Sequence, residues 1–584
     1  MKKSALLLLT IPFLLAGCIH TKPVKPEVEH IYESVRSARA WIASSYSAPL
    51  TLYTMKGISR DIPYIDFQKT YSTMFTLLGT SFDPYGQGSY KLNANVNGDI
   101  VNMQNSHGSI SFDTKEDTMT VSKVNKFMLL TAKDKDNLII ANGLETNFVC
   151  IDEEKTQSIS PDTSVTFELG NYDIDIMHEG KTLFMPAATF NDLFMAINGL
   201  SLVYNGVDYY FSNTFNDNPS GIGADDLELR YYEESTWRGK QRSQELATFT
   251  YNELCLALDN LYGLKDYRNI ESFDSLFTSA GWKAGLLSTN PDTYERTMID
   301  FVGSYLCEGH TNYTKISSFN YGNDYTEANT EAHNQNDRYS ALRDAKAELT
   351  ESREAAGYEP GLTLCDNVAI IRFDQFMKSS QNTSGINTEF YSYSYLHEVD
   401  TYLFFKKAFN DIKKNSQIDK IVIDITCNGG GMLDSLPWLE AFMSDDPFLT
   451  IRSSLTGQVT DTHYKVDLNQ DGVYDENDTY KGQYDFYLLT SSFSFSCGNA
   501  LPTVVKKGQM ATIIGEKSGG GACAVGALST ASGTVLRLSS TMQIGMLNDQ
   551  NQFVINEGGI EVDHIVNRTD FYQNTALVEI VNNL

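Results

Sequence analysis

Basic residues are scarce in this 584-residue chain: 45 lysines and arginines stand against 74 aspartates and glutamates, a formal charge of −29. Such a surface repels phosphate backbones and anionic headgroups, which excludes nucleic acid as a partner and direct adsorption to an anionic membrane. The eight cysteines include no Cys-x-x-Cys pair, so thiol-based metal binding has no support. Beyond Cys18 they number seven (150, 255, 307, 365, 427, 497 and 523), and an odd set cannot all pair within the chain. Only 20% of residues are charged while 12% are aromatic, with 33 tyrosines and 31 phenylalanines, which excludes a disordered chain and favours strands. A length of 584 residues exceeds one ordinary core, so two or three domains are expected.

The apolar run in MKKSALLLLTIPFLLAGC (1–18) is too short to cross a bilayer comfortably. Two lysines precede it, and Leu15-Ala16-Gly17-Cys18 follows. This resembles a bacterial lipoprotein signal, which implies removal of 1–17, lipidation of Cys18 and an exported protein anchored at a membrane, on the cell surface or in the periplasm. Polar, proline-containing residues 18–39 then read as a tether. Residues 40–238 show short alternating runs broken by Asn, Asp and Gly, as in GSISFDTKEDTMTVSKV, and read as a β-rich accessory domain. Within it, 62–79 and 183–200 resemble the small strand-helix modules of stalk-like domains on exported bacterial proteins.

Residues 239–312 carry apolar residues at helical spacing, as in FTYNELCLALDNLYGL. Residues 313–362 are polar and contain one charged helix candidate, RYSALRDAKAELTESREAAG; they read as an insertion, lid or linker. From 363 to 584 apolar strands alternate with helices (NVAIIRF, VDTYLFFKKAFNDIKKN, KIVIDI, LDSLPWLEAFM), the pattern of a layered α/β domain.

Three blocks in that last region carry chemistry. In KIVIDITCNGGGMLDS a buried strand runs into Gly429-Gly430-Gly431, where backbone N–H groups can face a ligand. TSSFSFSCGNALP places four serines, at 491, 492, 494 and 496, between a strand and a helix. IIGEKSGGG (513–521) follows. In this order the blocks resemble the tail-specific (carboxy-terminal-processing) and tricorn-like serine peptidases, over roughly 245–570. The resemblance implies a layered βα sheet of the ClpP/crotonase kind with a helical subdomain, and an endopeptidase working through an acyl-enzyme. Its spacing from Gly515-Glu516 puts the nucleophile on Ser496. Position agrees: Ser496 is the last serine before the helix, where N–H groups and the helix dipole favour developing negative charge. The N–H of Cys497 and one from Gly430 or Gly431 would form the oxyanion hole.

Tail-specific members carry a lysine base where this chain has Gly521; Lys517 stands too early to match but leaves a Ser–Lys dyad as an alternative. The tricorn-like branch uses a histidine in a D-G-H-T-like motif, which LCEGHTNY resembles, giving His310 as base. Histidine titrates near neutrality and there are only nine in the chain. INEGGIEVDHIV (555–566) resembles the family's E-x-x-G-V-x-P-D block, implying Glu557 as the orienting group with Glu561 as fallback. Asn499 and Val562 depart from the family pattern at positions commonly acidic and proline. These departures keep a second reading open: a catalytically inactive relative that binds peptides or cell-envelope material.

Separately, DLNQDGVYDEND (467–478) places Asp467, Asn469, Asp471, Asp475 and Asp478 at positions 1, 3, 5, 9 and 12 of an EF-hand-type loop, with Gly472 at the turn and the Val473 carbonyl at position 7. This spacing predicts a structural calcium ion; catalysis itself calls for no cofactor.

Overall fold

The computed structural model describes residues 30–82, 90–130, 148–214, 226–378, 383 and 385–584. The expected signal peptide, Cys18 and residues 18–29 of the expected tether lie outside them. Among the described residues no helix is long and apolar enough to cross a membrane.

The element that positions the site is a six-stranded sheet in the order Gly361–Cys365, Val368–Arg372, Lys420–Asp424, Asp485–Thr490, Thr512–Gly515, His564–Ile565. Its first strand is antiparallel to the second and every later pairing is parallel. Central parallel strands are covered on both faces, which is why KIVID and FYLLT read as unbroken apolar runs. Alternate residues enter opposite cores. Ala369, Ile371, Ile421, Ile423 and Leu488 pack with the helices Thr401–Ile412, Leu436–Met443 and Cys497–Gly508. Val368, Ile370, Val422, Leu489 and Ile514 pack with the C-terminal helix Asn574–Asn583 and with Leu349. Because the strands run parallel, Arg372, Asp424, Thr490 and Gly515 all end at one edge, where α/β sheets present their ligand sites.

A second, eight-stranded sheet is built around the long strand Val535–Leu547. It takes in Asn312–Lys315, which follows the GHT motif, and two short strands from far upstream. Val149–Ile151 and Gln157–Ser160 pair with Val459–Val466, so part of the stretch expected to be accessory extends the sheet beside the α/β core. The remaining N-terminal region is β-rich: a seven-stranded sheet and a five-stranded sheet enclose an aromatic core of Phe67, Tyr71, Phe75, Phe112, Phe190 and Phe194. Its first strand, Tyr32–Ala43, already begins within the stretch expected to be tether. Residues 313–362 are not an open linker. They hold the helices Thr326–Asn334 and Asp337–Ala355, the second of which buries Ala345, Leu349 and Arg353.

Candidate active site

The serine cluster closes onto the glycine turn by its own hydroxyls. Ser491 donates to the Thr426 carbonyl (2.6 Å) and Ser494 to that of Ile425 (2.8 Å), both from fully buried positions. Ser492 Oγ accepts from Arg568, which also forks onto Glu516. Three of the four serines therefore hold the turn together. Ser496 stands apart at the N-cap of helix Cys497–Gly508, half-buried, with φ 59° and ψ −121°. A side-chain-bearing residue rarely adopts that backbone, which costs roughly 1–3 kcal/mol and persists only where the surroundings enforce it. Here they do: Ser496 N–H donates to the Gly520 carbonyl (2.9 Å), and its own carbonyl accepts from Asn499 and Ala500 (2.8 Å each).

The glycine turn meets Ser496 backbone to side chain. A Cβ on Gly430 would lie 2.6 Å from Ser496 Cβ and 2.9 Å from its Oγ, and one on Gly431 would lie 2.2 Å from the Phe376 carbonyl oxygen. Glycine is required at both, at φ 108° and 135°. Gly430, named with Gly431 as an oxyanion donor, gives its N–H to Asn428 Oδ1 (2.9 Å). The N–H of Cys497 has no hydrogen-bond partner among the described residues, whereas the Gly431 backbone hydrogen-bonds the Cys497 thiol. These two residues touch, Cys497 Sγ lying 3.0 Å from the Gly431 carbonyl.

His310 belongs to the turn between the helical segment Phe301–Leu306 and strand Asn312–Lys315. Glu308 closes that turn by accepting from the N–H (3.1 Å) and hydroxyl (3.0 Å) of Thr311 and from the Ser539 hydroxyl. The His310 ring lies 4.8 Å, centroid to centroid, from Phe495, the residue before Ser496. Both ring nitrogens are buried without a partner among the described residues. Burial, with the Arg338 guanidinium adding to it, pushes the imidazole down to about 4, so it is a neutral proton acceptor at pH 7. The same burial holds the Glu308 carboxyl above its ordinary range, with the Glu557 charge adding.

Glu557 is also buried but does not hydrogen-bond His310. Oε2 accepts from the Ala522 N–H (2.7 Å) and Oε1 pairs with Arg338 Nη2 at 2.5 Å. The fallback Glu561 is exposed and paired at the surface with Lys517 (2.8 Å), which removes both from the buried cluster. Asn499 has its own logic: its amide donates to the Asn556 carbonyl (3.1 Å) and accepts from the Ser518 hydroxyl (2.7 Å), a dual role no carboxylate fills. Val562 packs against the apolar core.

Sequence reasoning missed Arg338, although it opens the charged helix singled out above. The available signal was the spacing 338, 342, 346, 349, 353, which places those residues on one helical face.

The 467–478 loop is closed by its own backbone. Asp467 accepts from the N–H groups of Asp471 (3.1 Å) and Gly472 (2.8 Å), Asn469 from Asp471 (2.8 Å), Asp471 from Val473 (2.9 Å), and Asp475 and Asp478 cap one another. As folded, no three His, Cys, Asp or Glu side chains among the described residues converge tightly enough to hold a metal.

Residues 367–566, about a third of the chain, match the model of Peptidase family S41. The match takes in the glycine turn, Ser496 and Glu557, and leaves His310 and Arg338 outside. No curated protein matches. Among solved structures, a protein of Parabacteroides merdae ATCC 43184, named only provisionally as a peptidase, is 18% identical at TM-score 0.37, covering 56% of this chain and 93% of that one. The photosystem II D1 C-terminal processing protease is 15% identical at TM-score 0.25 (36% and 46%). Mature CPAF complexed with lactacystin is 16% identical at TM-score 0.26 (37% and 52%). The chain thus spans about half the length of the latter two.

The backbone strain at Ser496 is measurable. Ser496→Gly should stabilise the protein by about 1 kcal/mol in denaturant unfolding, because glycine adopts this φ freely, whereas Ser496→Ala keeps the Cβ and should not. Equal stability of the two variants would remove the strain.

Proposed function

We propose that the chain is an exported, lipid-anchored serine endopeptidase of the S41 kind, with a histidine rather than a lysine as base. The observation that carries this is the singling out of one hydroxyl. The Ser496 hydroxyl alone in its cluster is free of structural duty, sits at a strained helix start, and follows a phenylalanine tilted at 58° against a buried neutral imidazole. The two-faced parallel sheet beneath it favours the ClpP/crotonase-like layering.

In this mechanism Ser496 Oγ attacks the carbonyl carbon of the scissile peptide bond while His310 takes the hydroxyl proton. The carbonyl oxygen becomes an oxyanion, for which the N–H of Cys497 is the free donor, with that of Gly431 joining it by turning from the Cys497 thiol. Collapse breaks the C–N bond, the amine leaves with the proton from His310, and the acyl-enzyme remains. Water then repeats the sequence: His310 takes its proton, the hydroxyl adds to the ester carbon, and Ser496 leaves reprotonated. Glu557, paired with Arg338, orients the cluster.

Phe495 accounts for the missing lysine. A Cβ on Gly521 would come within 2.6 Å of the Phe495 ring, so the space a side chain there would need is already filled. Calcium is proposed as a structural ion at 467–478, with no step of hydrolysis passing through it. Binding would require the Asp467, Asp471, Asp475 and Asp478 oxygens to turn inward from the backbone N–H groups they now accept.

Ser496→Ala should lower kcat by about four orders of magnitude or more and abolish labelling by a fluorophosphonate. Unchanged turnover would instead favour a binding protein. Added calcium should raise Tm in the wild type and not in an Asp467→Ala/Asp471→Ala variant; an indifferent wild type ends the calcium proposal. Intact-mass analysis of the chain extracted from bacterial membranes should find it starting at a diacylated Cys18, and an unmodified thiol there would remove the anchor.

A further inference from the structure

The helix Asp337–Ala355 lies along the whole nucleophile side of the site. Leu342 Cδ2 stands 3.3 Å from where a Cβ on Gly519 would be, and Lys346 Nζ lies 5.6 Å from the Phe493 ring centroid. Leu349 is fully buried with Val368, Val422 and Leu489 under the sheet. At the far end Arg353 forks onto Asp374 (2.5 and 2.7 Å), two residues before the Phe376 backbone that pairs with Gly431. These positions recur every three or four residues, so one face does all of this.

Arg338 is the first contact on that face. Its Nη2 lies 2.5 Å from Glu557 Oε1 and 3.4 Å from the Glu557 carbonyl. A Cβ on Gly520 would be 3.0 Å from the same nitrogen. The guanidinium therefore covers the residue whose carbonyl fixes Ser496 N–H, while gripping the carboxylate that accepts from Ala522. An always-charged group suits this place, since a single guanidinium nitrogen meets both the Glu557 carboxylate and its carbonyl oxygen.

We propose that Arg338 is a positioning residue of the acid–base machinery: by clamping Glu557 over Gly520–Ala522 and presenting its charge to His310, it makes docking of the 337–355 helix a condition for a competent site. This rests on the reading of Ser496 and His310 given above.

The groups around His310 leave Arg338 as the cation able to act. Glu308 shares its turn, Glu557 comes from the 555–559 turn, Cys523 from strand Cys523–Ser529, and Tyr262 from the end of helix Gln244–Leu261. The other cation nearby, Arg268, is committed to the Tyr262 hydroxyl and the Tyr305 and Leu306 carbonyls. Removing Arg338 deletes the positive charge that opposes protonation of the imidazole and leaves the buried Glu557 carboxylate without its cation. Both changes favour the imidazolium, so the pH below which the base is lost should rise.

The test measures the rate of fluorophosphonate labelling against pH, together with an NMR titration of ¹³C-histidine-labelled protein in which His310→Gln assigns the His310 signal. Arg338→Gln and Arg338→Met are two neutral variants of similar length, so a folding failure in one leaves the other to decide. Each should move the acid limb of labelling and the His310 titration upward by about one pH unit. Arg338→Lys should restore the limb toward the wild-type position while labelling more slowly. Neutral variants whose His310 titration and acid limb coincide with wild type would overturn the proposal, whatever their rates. If wild type is not labelled at all, the peptidase reading fails and the NMR shift still decides the role of Arg338. If His310→Gln labels at the wild-type rate, the assignment of the base fails, again independently of that shift.

Discussion

The site depends on where one aromatic ring goes. Phe495 is buried against two glycines: a Cβ on Gly309 would lie 2.4 Å from its Cζ, and one on Gly521 2.6 Å. Its third neighbour is the His310 ring. The wedge therefore joins three stretches far apart in sequence and dictates the residue type in two of them. It also transmits position to Ser496. Phe495 N–H is held by the Asn428 carbonyl (3.1 Å) and the next N–H, of Ser496, by Gly520. With its predecessor anchored on the glycine turn and its own N–H tied to the opposite loop, Ser496 has little freedom to leave its strained φ.

Burial sets the electrostatics around this wedge. His310, Glu308 and Glu557 are each at most 7% exposed, in a region where ionisation is costly unless a partner is supplied. The structure resolves each differently. The imidazole stays neutral, Glu308 is held up toward its protonated form while accepting three hydrogen bonds, and Glu557 takes a guanidinium. Beneath the glycine turn the same rule gives Asp424 its partner Arg372 (3.2 Å) and two hydrogen bonds from Thr426. A neutral imidazole among carboxyl groups that are each hydrogen-bonded or ion-paired leaves His310 the group able to accept a proton here.

What the sequence made legible follows from how local each signal is. The alternation of apolar strands and helices after 363 predicts the two-faced sheet, because burial on both sides leaves a continuous apolar run in each strand. Glycines at 430 and 431 and a serine before a helix announce a turn with exposed N–H groups. Which N–H is free is another matter: Asn428 takes that of Gly430 through a side chain two residues away, and no spacing rule shows it. Asn499 looked like a departure until its two partners, Asn556 and Ser518, were adjacent in space. The strands Val149–Ile151 and Gln157–Ser160 could not be assigned to the second sheet from pattern alone, since their partner Val459–Val466 lies some three hundred residues away. Arg338 was hidden for the same reason, its charge looking like that of any solvated helix.

That distribution bears on how the molecule is organised. The 367–566 stretch contains the candidate nucleophile, the glycine turn and the buried carboxylate, yet the candidate base and the cation on that carboxylate both come from before it. His310 arrives on a turn continuous with a strand of the second sheet, and Arg338 on a helix whose opposite end grips Asp374. Each is anchored at both ends in packed structure. A nucleophile assembled from one contiguous block could be active in a partly folded chain; one whose base and clamp arrive separately cannot. Docking of the upstream elements is therefore a structural condition on the proposed chemistry, since His310 and Arg338 are in place only once both sheets and the 337–355 helix have closed around Phe495.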